Sequence, residues 1–568
     1  MRKFSLIALS AAIASFLMWA ADWPGQSGNP QRDGWAKSEK AFTRDNAKHI
    51  ELLYKYKAEN NQARGLSALT SPMVNGNLIT YLGFKEMLVF GGSSDNVYSV
   101  DADLNRKIWS THFEFKGDKP AVAPTALCPG GLTATLAMPG SSTAMGRGGL
   151  PPGRGAVPGR GAVPGVPGAI PPEAGRGPAA PGLPQPGAGR GNIFATGFGR
   201  SGIFLAVSGD GYLHALNTST GADKVPPVKF LPPNAKASAI NMNEGVIYAA
   251  TQDGCGGNAN KLYALDLSGE DAKLNSFDIA GSAIAGAGGT AIGNDGTVFV
   301  QVSDATGDTV YSLSKDLHVK DQFKMSAPPV HAAKDVASPG ITPVVFEWNG
   351  REVVVAGASD GRVYLLDSKS LGGADHRTPL AATDAIASPD TKYAGNGFSG
   401  TFSSWEDADT TTRWVYASLW GPPGGSTKFG TANGDAAHGS IVAFKLEDKG
   451  GTPALAPAWI SRDMMAPAPS AIANGLVIAL AGGESTREAK EGGKPYSIAE
   501  REKMAAHATL YVLDGATGAE LYSSGNMAST FSHTAGLAVA NRRIYFTTHD
   551  NYVYALGFMA EQPQLTGR

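Results

Sequence analysis

Apolar residues in this chain come in short runs set in a recurring frame. A β-prone run ends at a tight turn. A second run follows with the order apolar, Tyr, small, apolar, Asp. "VFGGSSDNVYSVDADLNRKIW" (Val89 to Trp109), "FLAVSGDGYLHALNTSTGA" (Phe204 to Ala222), "VVVAGASDGRVYLLDSK" (Val353 to Lys369) and "LYVLDGATGAELY" (Leu510 to Tyr522) are copies. Eight copies are found, with Tyr98, His214, Tyr263, Tyr311, Tyr364, Val442, Tyr511 and Tyr554 equivalent. Undisturbed neighbours are about 43 to 53 residues apart. Asp210-Gly211 and Asp360-Gly361 suit the positive φ angles of a two-residue hairpin turn. A further strand precedes each pair, as in "TSPMVNG" (Thr70 to Gly76) and "APSAIANG" (Ala468 to Gly475).

The pattern predicts an all-β chain: an eight-bladed β-propeller of four-stranded antiparallel blades, with strands A to D numbered outward from the axis. A lone sheet of this kind cannot bury both faces, whereas eight stacked radially can. The run "ELLYKYKAE" (Glu51 to Glu59) alternates like a strand and precedes the first blade. It is predicted to close the ring as the outer strand of the last blade.

Composition changes the picture in three places. The 48 basic and 50 acidic side chains leave a net charge of -2, which gives no support to a nucleic-acid partner. Residues 1–20 read as a signal peptide: Arg2 and Lys3 precede an apolar stretch that ends at Ala20. An uncleaved anchor is the alternative. No later stretch is long and apolar enough to span a bilayer, so the mature chain, residues 21–568, is expected to be exported, to the periplasm or beyond. Residues 139–192 are almost entirely Gly, Pro, Ala and Arg, cannot build a core and are expected to be disordered. They fall inside blade 2, as a tolerated insertion or a tether, and not between domains.

The chain has two cysteines, Cys128 and Cys255. The first precedes strand A of blade 2 and the second lies in the B–C loop of blade 3. Both are therefore on one face of neighbouring blades, which suits a disulfide in an exported protein. Two free thiols or a redox pair are the alternatives.

The blades resemble the PQQ-binding-like repeats of the quinoprotein alcohol dehydrogenase-like β-propellers. The residues that carry the resemblance are "GDGYLHALNTSTG", "SDGRVYLLD", "LYVLDGATGAELY" and "DWPGQSGNPQRDGW" (Asp22 to Trp35). The resemblance implies the fold and leaves two functions open. Some members hold pyrroloquinoline quinone (PQQ) on the axis with Ca²⁺; others bind no quinone and act as interaction platforms. This chain departs from the enzymes. Its two cysteines are not adjacent, it has no CxxCH haem motif, and only Trp109 and Trp459 match the tryptophan that docks one blade on the next.

The leading reading is therefore a binding or scaffold module whose channel-mouth loops take an unknown protein or small molecule. The alternative is a PQQ-dependent dehydrogenase that oxidises an alcohol or sugar with PQQ and Ca²⁺ and needs a separate electron acceptor. B–C loops and the loops entering strand A share the channel-mouth face. Two long loops are expected there, Leu419 to Gly439 and Gly482 to His507, the second with a short helix capped by Ser497. His331, His533 and His438 are the candidate catalytic or ligating histidines on that face. "SSWEDADTTTRWVY" (Ser403 to Tyr416) lacks the glycine and distal glutamate of a calcium loop and reads as a solvated A–B turn.

Overall fold

The computed structural model describes residues 22–80, 83–125, 128–139, 202–280, 282–304, 306–325, 341–387, 397–398, 400–425, 427–487, 490, 494, 496–533 and 536–559. The leader, His331 and all of the Gly/Pro-rich insertion but Pro139 lie outside these residues. Among the described residues, no helix is long and apolar enough to cross a membrane.

Eight antiparallel sheets succeed one another along the chain, and each of the eight equivalent positions falls in a strand C. Blade 1 is typical, with strands Met73–Thr80, Gly83–Gly92, Asn96–Asp101 and Arg106–His112. Blade 2 is the thinnest. Its predicted inner strand is reduced to one bridge, Ala137 to Leu205, beside the insertion. The B–C turn there is also longer than the expected two residues. Ser208 accepts from Gly211 N, and only Gly211 has positive φ (88°). A type I turn followed by one left-handed residue gives the strands their twist with a single glycine.

Central strands are buried along most of their length. Ile203–Val207 and Leu476–Ala481 have no exposed position, because each sheet is covered on both faces by its neighbours. One apolar cluster joins Leu88 and Phe90 of blade 1, Phe546 and Tyr554 of blade 8, and Ile478 and Val512 of blade 7. Blade 8 is thus packed between the two ends of the ring.

The ring closes as the sequence predicts. Strand Glu51–Lys57 pairs antiparallel with Tyr552–Gly557 and is the outer strand of blade 8. Two tryptophans lock neighbouring blades. Trp109 Nε1 donates to Thr218 O across blades 1 and 2 (2.8 Å), and Trp459 Nε1 donates to Gly515 O across blades 6 and 7 (3.0 Å).

The segment "DWPGQSGNPQRDGW" has a role that its sequence does not reveal. It passes along the inner edges of successive blades. Trp23 bridges Val74 in blade 1, and Pro24 O accepts from Met138 N in blade 2. Pro30 O accepts from Asn241 Nδ2 in blade 3 and Ile292 N in blade 4. Gln31 O, Asp33 O and Gly34 O accept from Val345 N, Ser404 N and Ile472 N in blades 5, 6 and 7. Inner strands would otherwise present unpaired backbone groups to the channel. The segment pairs with some of these groups in blades 1 to 7. Arg32 anchors it, donating to Gln26 O (2.7 Å), Ile240 O (3.0 Å) and Thr290 O (3.1 Å). Burial lowers this guanidinium's pKa to about 9.

Candidate functional site

Above this axial segment, at the channel mouth, lies a cavity of about 80 Å³. Five blades, 1 to 4 and 8, and the N-terminal segment build it. Gln26 comes from that segment, Thr70 and Ser71 from the entry to blade 1, and Thr133 and Thr135 from the entry to blade 2. Lys236 and Gln252 come from blade 3, and His533 from the entry to blade 8. Every one of the blade residues lies at the start of a strand A or the end of a strand B, so propeller topology alone puts them on one face.

Local chemistry fixes their orientations. Thr135 Oγ1 donates to Gln26 Oε1 at 3.0 Å, and Ser71 Oγ accepts from Gly536 N at 2.6 Å. Lys236 Nζ donates to Asp253 Oδ2 at 2.7 Å. His533 Nδ1 is 2.6 Å from Glu484 Oε2, and the other oxygen of Glu484 accepts from Arg501 Nη2. Glu484 is 1 % exposed and Arg501 8 %. Burial pushes the Glu484 carboxyl up, but His533 and Arg501 outweigh it and hold its pKa below the ordinary value.

Glu484 and Arg501 also explain the second long loop. Helix Ile498–Met504 forms with Ser497 as its cap: Ser497 Oγ accepts from Glu500 N, and Glu500 Oε2 accepts from Ser497 N at 2.9 Å. From this helix Arg501 reaches Glu484, so the loop is tied to the cavity wall through the histidine's partner. The first long loop goes elsewhere. Its strand Thr431–Ala432 pairs in parallel with Trp459 and Ile460, covering the outer edge of blade 6.

The three histidines thus part company. His533 lines the cavity. His438 is an exposed residue, held by Asp463 through its backbone N and through Nδ1, each at 2.7 Å, and it lines no part of the cavity. Asp463 borders a separate groove of about 400 Å³ between blades 6 and 7, where Arg462 pairs with Glu520 at 2.7 Å. His331 lies outside the described residues. The acidic run at blade 6 is an A–B turn, as expected. Asp407 accepts from Asp409 N and Thr410 Oγ1 at 3.0 and 2.9 Å.

Cys128 and Cys255 form the disulfide, with Cα atoms 5.3 Å apart. The bond staples the cavity rim, since Pro129 lines the cavity. It closes a sequence separation of 127 residues. Cys255→Ser, or reduction, is expected to destabilise by about 2–5 kcal/mol. Urea unfolding with and without reductant measures this; equal midpoints would show that the staple adds nothing.

Gln26, Lys236, Glu484 and Arg501 were not singled out in the sequence. One signal was present. A Ser or Thr stands within three residues of strand A in seven blades: Ser71, Thr135, Ser238, Thr290, Thr342, Thr401 and Ser470. All are buried around the axis. Aligning the repeats on their inner strands would have exposed this ring of hydroxyls.

The resemblance implies PQQ and Ca²⁺ on the axis, and the lining can be tested against them. Ca²⁺ takes six to eight oxygen ligands, several of them carboxylates. Among the described residues, no group of three or more His, Cys, Asp or Glu side chains is placed to hold a metal ion. Glu484 is committed to two cationic partners. No Phe, Tyr or Trp is among the described lining residues to stack a planar ring. The described cavity lining fits neither group.

No family model matches the sequence, and no curated protein matches it. Solved structures do. The quinohemoprotein alcohol dehydrogenase ADHIIG of Pseudomonas putida HK5 aligns with a TM-score of 0.55 and 11% identity, over 96% of this chain and 82% of that one. A europium-containing methanol dehydrogenase gives 0.53 and 11%, over 94% and 89%. The quinohemoprotein alcohol dehydrogenase of Comamonas testosteroni gives 0.50 and 12%, over 96% and 82%. At such identities the likeness is one of architecture: this chain carries the eight-bladed propeller fold of the quinoprotein alcohol and methanol dehydrogenases.

Proposed function

We propose that the protein is an exported binding module that uses its channel-mouth face. The observation that carries this reading is the axial cavity. Its lining is rich in hydrogen-bonding side chains, it is backed by the N-terminal segment, and it is bordered by a loop tied down through Arg501 and Glu484. A concave site with a few convergent polar groups on a rigid scaffold is where ligands bind. The disulfide at the rim supports export.

The second reading is a PQQ-dependent alcohol dehydrogenase with a separate electron acceptor. It is favoured by the fold shared with the quinohemoprotein alcohol dehydrogenases. Against it stands the donor set. Reconstitution separates the two. Purified protein is mixed with PQQ and Ca²⁺ at micromolar concentration, then followed by absorbance and by dye-linked oxidation of alcohols. The binding-module reading expects no stoichiometric cofactor uptake. Uptake with dye reduction would overturn it.

A further inference from the structure

Resting on the channel-mouth reading, we infer that the axial cavity binds a small organic carboxylate between Lys236 and His533. The described lining holds one ammonium, Lys236, and one imidazole, His533, and no acidic side chain. Their carboxylate partners, Asp253 and Glu484, are outside the described lining.

Four side chains of the lining keep hydrogen-bonding capacity beyond their protein contacts. An ammonium has three N–H groups, and Asp253 takes one of those on Lys236. Glu484 accepts from His533 Nδ1, so a ring carrying both protons has Nε2–H left to donate. Gln26 uses its carbonyl oxygen to accept from Thr135, which leaves its amide NH₂ to donate. Ser71 accepts from Gly536 N and keeps its own proton to give. These four come from blades 1, 3 and 8 and from the N-terminal segment, and they point to a ligand that accepts hydrogen bonds and carries negative charge.

The rest of the wall decides between an organic acid and an inorganic oxyanion. Leu69, Leu132, Ala237 and Ala287 also line the cavity. A phosphate would turn polar oxygens toward these groups and leave them unpaired. A carboxylate on a short hydrocarbon stem satisfies both halves. About 80 Å³ of space holds several waters, or an acid of a few carbons in their place.

The test is calorimetric titration of the full-length oxidised protein at constant ionic strength. The probes are sodium propionate, its neutral isostere propionamide, and sodium phosphate. Propionate is expected to saturate one site, with propionamide and phosphate each at least about tenfold weaker. Lys236→Met should weaken propionate by a similar factor. Equal binding of propionate and propionamide, tighter binding of phosphate, or no heat with propionate would each overturn the inference. The comparison of probes uses the unaltered chain, so it holds even if Lys236→Met fails to fold. Uptake of PQQ would instead sink the reading on which the inference rests. Failure of propionate without PQQ uptake sinks the inference alone.

Discussion

Glu484→Gln is expected to destabilise the protein by about 3–5 kcal/mol, the cost of leaving a buried ion pair with one partner. Glu484 and Arg501 are both buried, and His533 shares the same carboxylate. Glutamine keeps the shape and removes the charge that Arg501 and His533 face. The loss should be specific to the pairing: combining Glu484→Gln with Arg501→Met should cost clearly less than the two single changes summed. Additive costs in urea unfolding would refute the coupling.

The same group sets a pH dependence. The native pKa of Glu484 lies below its ordinary value, because its cationic partners outweigh the effect of burial. Its contribution is therefore complete above the unfolded glutamate pKa of about 4.3. It is lost as pH falls from there through the lower native value, since the unfolded state takes up the proton first. Glu484→Gln should flatten this acid limb of the stability profile. An unchanged slope between the wild type and the variant below about pH 4.3 would contradict the assignment.

Trp459→Ala is the second large effect, at about 3–5 kcal/mol. Its ring is fully buried between blades 6 and 7, and its Nε1 donates to Gly515 O. Gly518 must lack a side chain beneath it. That glycine has φ of 73°, and a Cβ there would lie 2.5 Å from the tryptophan ring. Gly518→Ala is therefore expected to destabilise as well, through both strain and collision. Trp459→Phe should cost much less. Gly515 O also accepts from Tyr416 OH at 3.0 Å, so it keeps a partner when the indole N–H is lost. Denaturant midpoints for the three variants should fall in that order, with Trp459→Phe nearest the wild type. A Trp459→Phe as damaging as Trp459→Ala would mean that the hydrogen bond, and not the packed ring, docks the blades.

Blade-to-blade docking was legible because it repeats. Trp109 and Trp459 each precede a Thr-Gly turn in the next blade, and each meets it in the fold. Strand Glu51–Lys57 was legible for a related reason: it alternates, and the last blade lacks an outer strand. The cysteines could be placed on one face by counting loops. In contrast, "DWPGQSGNPQRDGW" carries no periodicity at all. It lies along seven inner strands through its own backbone carbonyls, bridges and amides, and backbone groups are the same in any sequence. His438 and His533 read alike along the chain. One is held on the surface by Asp463 and the other is turned to the cavity by Glu484, 49 positions away.

The division follows from distance along the chain. Turns, strand alternation and the repeat arise from residues close in sequence, so the sequence by itself determined eight blades, their strand order, the closing strand and the face shared by the cysteines. The cavity is made where Gln26, Ser71, Lys236 and His533 meet, from positions spread over some 500 residues of chain. Only closure of the ring brings blade 8 beside blade 1, and with it His533, held by Glu484, beside Ser71 and Gln26. The charge, size and donors of the site are set by that closure, so the tertiary structure alone decided them.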